Sequence, residues 1–120
     1  MLVTEILQLP QSFNIIESVL FDENESNEII NIYNNMYNDN LTRTEKIRDI
    51  QKVMNKMANC YTRNEKKFYC LIIFSILNTP FGYQIIQDND KFREIVFSKY
   101  EEFIDMDDLE FTEALRSRKI

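Results

Sequence analysis

Between Phe68 and Leu77 the chain reads FYCLIIFSIL, which is apolar on every side when wound as a helix. A helix without a polar face has to be enclosed by other elements. The run therefore predicts a buried central helix over about residues 63–77, with Phe68, Leu71, Ile72, Phe74, Ile76 and Leu77 at its centre. Upstream the pattern changes. Ile47, Ile50, Met54, Met57, Ala58 and Tyr61 fall at helical spacing and predict one apolar stripe, with Arg48, Lys52 and Lys56 on the opposite face.

Both helices open with the same grammar. Thr42-x-x-Glu45 and Thr62-x-x-Glu65 match the capping box, in which the Thr hydroxyl accepts the N3 amide and the Glu reaches back to the cap amide. The copies lie twenty residues apart and then diverge. A two-helix repeat would need a period of about 33–47 residues, so the doubling marks two helix starts and not a repeat.

Other elements follow from the same cues. Leu2 to Gln8 read as a short helix, and Pro10 and Ser12 precede a stripe of Phe13, Ile16, Val19 and Leu20. Ser26 is placed as cap for Ile29, Ile30, Tyr33, Met36 and Tyr37, which leaves the polar stretch Asp22 to Asn27 as a loop. Asn78 closes the central helix, and Thr79 and Pro80 supply the cap and first position of the next. Asp88 or Asp90 precedes the stripe Phe92, Ile95, Val96, Tyr100 and Phe103, and Asp107 or Asp108 caps a last helix. The expectation is an all-α fold of six to eight short helices in one domain, residues 1–120.

Composition agrees. The chain has 120 residues, 44% of them hydrophobic, with one Gly and two Pro. That is enough to bury a core and too few turn formers for a sheet protein. Histidine is absent, which excludes Ser-His-Asp and Cys-His nucleophile pairs and His-based zinc sites. Asp105 to Glu110 (DMDDLE) lacks the glycine of a calcium loop and reads as helix capping. Asp22, Glu23 and Glu25 read as solvated loop carboxylates. No cofactor, metal site or catalytic constellation is expected, and the chain is read as a non-enzyme. The N-terminus lacks the basic and cleavage features of a signal peptide, and no apolar run reaches the roughly twenty residues of a membrane span. The expectations are a cytoplasmic or nuclear protein, no membrane contact, and Cys60 and Cys70 as reduced thiols.

Charge is distributed unevenly. The net charge is −6, yet residues 1–40 carry seven acids and no base, whereas residues 43–67 carry eight bases against three acids. Arg48, Lys52, Lys56, Lys66 and Lys67 are the candidate partner-binding residues, a basic belt for an acidic segment of another protein. The competing reading is a solvated face neutralised locally by Glu45–Arg48 and Asp49–Lys52 pairs. Nucleic acid is not expected, because an acidic domain lacks the broad positive field that phosphate binding requires. A monomer is favoured.

Phe68 to Ile104 (FYCLIIFSILNTPFGYQIIQDNDKFREIVFSKYEEFI) resembles the helix–corner–helix–helix of armadillo-type α-superhelices. Formin inhibitory, VHS and polymerase-CTD-interacting domains share the pattern. The resemblance covers about a third of the chain and implies a small right-handed α-superhelix that recognises protein on a helix-lined surface, an interaction module or adaptor. The alternative is a compact Bcl-2-like bundle, as in small viral regulators of cell death or signalling. Size and the central apolar helix allow it, but the Asn-Trp-Gly-Arg signature is missing and the chain has no Trp.

Overall fold

The computed structural model describes residues 2–88, together with Glu94 and Ser98, which are helical and exposed. The stripe from Phe92 to Phe103 and the helix expected after Asp107 or Asp108 otherwise lie outside the described residues. The fold is all-α, and no strand occurs among the described residues. Within residues 2–88 the helices are α1 (Val3–Ile6), α2 (Asn14–Leu20), α3 (Glu23–Asn35), α4 (Arg43–Ala58), α5 (Arg63–Leu77) and α6 (Pro80–Asp88), with a 3-10 turn at Gln11–Phe13.

The central helix is α5. Every residue from Lys67 to Leu77 is buried, with α4, α6 and α2 packed against it. Its N-terminal half is wedged by aromatic rings. Phe13 stacks on Phe68 at 5.4 Å between centroids, and Phe21 meets both Phe68 and Tyr69 at 5.6 Å. Such pairs add about 0.5–1.5 kcal/mol each beyond the area they bury. The stretch that resembles an α-superhelix, residues 68–104, is described as far as Asp88 and at Glu94 and Ser98.

The expected caps form, with two adjustments. Thr42 Oγ1 accepts from the Glu45 amide (3.2 Å) and Thr62 Oγ1 from the Glu65 amide (3.1 Å). The Glu65 carboxylate, however, accepts from the Tyr61 amide (3.2 Å), one residue further back than the reciprocal box places it. The α3 helix starts earlier than Ser26. Asp22 is its cap, accepting from the Glu25 amide at 2.8 Å, and Ser26 is buried inside the helix. The stretch expected as a loop is therefore the first turn, where its acids suit the positive end of the helix.

Two buried faces also differ from the expected stripes. On α4 the inward line is Lys46, Ile50, Val53 and Met57, with Ile47 and Met54 half-buried and Ala58 and Tyr61 exposed. The Lys46 ammonium donates to the Met36 carbonyl at the end of α3 (3.4 Å) and lies 4.7 Å from the Phe81 ring. A cation there complements the negative end of α3 and the face of the ring. On α2, Val19 is 79% exposed and Glu17 is 1% exposed. Glu17 accepts from the Val3 and Thr4 amides, both at 2.8 Å. These are open N–H groups of α1, whose own cap residue, Leu2, offers no side-chain acceptor. A buried carboxylate is tolerable when such donors replace water.

The corner that ends α1 holds Gln8 at φ 56°. The Leu9 amide bonds to the Thr4 carbonyl and the Gln8 amide to the Glu5 carbonyl, the paired bonds of a Schellman motif with Gln where Gly is usual. The chain's one glycine serves elsewhere. A Cβ on Gly82 would lie 2.4 Å from the Leu77 Cα and carbonyl oxygen, because α6 turns back tightly on the end of α5. Thr79 secures that corner, its hydroxyl donating to the Ile76 carbonyl (2.8 Å) and accepting from the Gly82 amide (3.2 Å).

Two stability predictions follow from the enclosure of α5. Leu71→Ala or Phe74→Ala, at positions with no exposed surface, will lower unfolding free energy by about 2–5 kcal/mol in a denaturant melt. A variant as stable as the parent would contradict the central placement. Gly82→Ala would gain about 1 kcal/mol from helix propensity in an open helix. Here the backbone clash will reverse the sign, with a net loss of about 1–3 kcal/mol by the same measurement.

Candidate functional site

The exposed side of α4 is positioned by its buried side. With Ile50, Val53 and Met57 facing the core, Arg48 and Lys52 are turned to solvent and Lys56 lies half-buried at the boundary with α3. The three recur every four residues, so they line one face of the helix. Gln51, Asn55 and Asn59, exposed and uncharged, lie beside them.

Local neutralisation is partial. The Lys52 ammonium lies 3.7 Å from Asp49, the i, i+3 pair that the spacing predicts. Lys56 pairs instead with Glu28 of α3, at 3.8 Å. Arg48 has no ion-pair partner among the described residues, so the expected Glu45–Arg48 pair does not form. Exposed contacts of this length stabilise by about 0–1 kcal/mol and leave the cations available to a partner.

The two belt lysines on α5 separate. Lys66 is half-buried at the α4–α5 corner, close enough to the Cys60 thiol for its charge to favour the thiolate. Burial and the Glu65 carboxylate outweigh that effect, and the Cys60 pKa is raised. The thiol is held by the Lys56 carbonyl at 3.2 Å. Lys67 does not belong to this surface. It is 6% exposed, and its ammonium lies 5.5 Å from the Phe13 ring. The helical turn that buries Phe68 and Leu71 carries position 67 inward as well, and the ring accommodates the charge.

Tyr69, on α5, is buried. Its phenol pKa is pushed up by burial first, and then by Cys60, Glu25, Glu65 and Glu28. The molecule thus presents a positive row on α4 beside a negative edge on α3, meeting at the Lys56–Glu28 pair.

Apolar residues left outside were not legible as such in the sequence. Tyr61 is 97% exposed at the α4–α5 corner, and Ile15 and Val19 are exposed one turn apart on α2. Two clefts flank α2. One, of about 330 Å³, is lined by Thr4, Glu5, Gln8, Leu9, Gln11 and Asn14. The other, of about 190 Å³, includes Glu17, Ser18, Phe21 and Asp22. In the first, the Thr4 hydroxyl is engaged by Asn14 at 2.7 Å, and in the second Glu17 is engaged by α1. Asp22, weighed from sequence as a solvated loop carboxylate, is occupied as the α3 cap. Among the described residues, no group of three or more His, Cys, Asp or Glu side chains could hold a metal ion. Among the same residues, no helix is long and apolar enough to cross a membrane. Compared with family models, curated proteins and solved structures, the chain matches none.

Proposed function

We propose that this protein is a non-enzymatic interaction module, or adaptor, that binds an acidic segment of another protein along the exposed face of α4. The observation that carries the reading is Arg48. It is an exposed guanidinium without an ion-pair partner among the described residues, aligned with Lys52 and Lys56 on one helix face. The fold gains little from this row, since surface pairs contribute about 0–1 kcal/mol. An acidic partner gains from it in two ways. Charge complementarity strengthens pairing once the surfaces meet, and it fixes which face is engaged. The net charge of −6 works against an anionic partner at long range, so recognition depends on short-range pairing with this face.

A death-regulator groove would instead be apolar and would receive an amphipathic helix. The two clefts beside α2 are lined mostly by polar side chains, so neither of them is such a groove.

Charge reversal tests it. Arg48→Glu combined with Lys52→Glu leaves the Lys56–Glu28 pair intact. The melting temperature will stay nearly unchanged. Capture of the partner from the native cell, identified by mass spectrometry, will fall, with the largest loss at low salt. Undiminished capture by the double variant would leave α4 with a solvated face and no role in binding.

A further inference from the structure

Tyr61 stands where the cationic row ends. Its predecessor Cys60, just past the end of α4, holds its thiol on the Lys56 carbonyl (3.2 Å), and Lys66 acts on the same thiol from α5. A scattered exposed aromatic on a protein surface needs no explanation. Here the residue is 97% exposed, follows the last cation of the row just past the end of α4, and sits on backbone that is tied down. The Tyr61 amide donates to Glu65 (3.2 Å), the next residue caps α5, and the preceding amide donates to the Met57 carbonyl (3.3 Å). An aromatic on a fixed corner, with only two side-chain torsions to order, is a low-entropy contact of the kind that dominates interfaces.

We infer that Tyr61 is the anchoring and specificity-determining residue of this surface. Its occupant is an acidic protein segment with an aromatic side chain at one end, the carboxylates lying on α4 and the ring on Tyr61. The inference rests on the proposed binding of an acidic segment along α4 and adds to it the chemistry of the partner. From Arg48 to Tyr61 the helix and corner span roughly 20 Å at 1.5 Å per residue, which an extended segment of about six residues covers. A basic surface with an aromatic also suits single-stranded nucleic acid. Glu45, Asp49 and Glu65 on the same two helices, with the net charge of −6, weigh against a phosphate backbone and for discrete carboxylates.

The test uses oligoglutamate peptides of about that length, carrying Phe at the first or the last position, and an all-Ala-ended control. Binding to the full chain is followed at low salt by chemical-shift titration. One Phe peptide will bind roughly five- to tenfold more tightly than the control, with shifts concentrated at residues 56–66. Tyr61→Ala will erase that preference and Tyr61→Phe will retain it, and both variants will melt like the parent because the ring is exposed. If the peptides bind but the preference survives in Tyr61→Ala, or never appears, the anchor is overturned while the acidic-segment reading stands. If no oligoglutamate peptide binds, or if an oligouridylate binds more tightly, the acidic-segment reading falls and the anchor falls with it.

Discussion

A helix that is apolar on every side cannot rest on the surface of anything. The run from Lys67 to Leu77 has to be covered all round, and α4, α6 and α2 take their places by covering it. Arg63–Leu77 is met along its length by α4, at its start by the rings of Phe13 and Phe21, and at its end by α6 folding back through Gly82. Each covering helix then presents what is left of its circumference to solvent. For α4 that remainder is the row of Arg48, Lys52 and Lys56. The candidate surface is thus a by-product of how the core is enclosed.

The parts of this plan that were legible in the sequence are those decided within one helix. Thr42, Thr62 and Thr79 cap because a hydroxyl at that position meets an open amide three residues on, whatever the rest of the fold does. The apolar run of α5 was legible for the same reason. Asp22 and Ser26 are both good caps four residues apart, and the acids between them read equally as loop or as first turn. Only the structure shows that the helix begins at the earlier one.

Where burial is decided between helices, a few residues lie opposite to what their spacing implies, Val19, Tyr61 and Lys67 among them. On α2, Ile15, Ile16, Val19 and Leu20 cover so much of a seven-residue helix that several rotations would bury a similar apolar area. What selects the observed one is the need of α1 for an acceptor, and Glu17 meets it. Lys46 and Lys67 are inside because each finds a ring on a distant element, Phe81 and Phe13. Their hydrocarbon stems can pack in a core once the ammonium is satisfied. Tyr61 is outside because α4 ends at Ala58 and the chain turns before the stripe can reach it. Of the candidate belt, Arg48, Lys52 and Lys56 could be placed on one helix face from spacing, whereas nothing in the pattern told half-buried Lys66 from buried Lys67. A local pattern fixes the face of one helix, and the phase of α5 is set by what encloses it.

The anchoring of α1 bears on when the chain can fold during synthesis. The amides of Val3 and Thr4 wait for Glu17, and the Leu7 carbonyl waits for the hydroxyl of Ser75, 68 residues downstream (3.1 Å). A one-turn helix has no stability of its own. At about 5–20 residues per second, the ribosome needs roughly 3–14 seconds to deliver Ser75 after Leu7 has been made. Over that interval Val3, Leu7 and Leu9, all buried in the finished domain, have no core to enter. Although α1 precedes its partners in the chain, it is among the last elements to settle, and a nascent chain that stops short of Ser75 leaves these apolar side chains exposed for chaperones to hold.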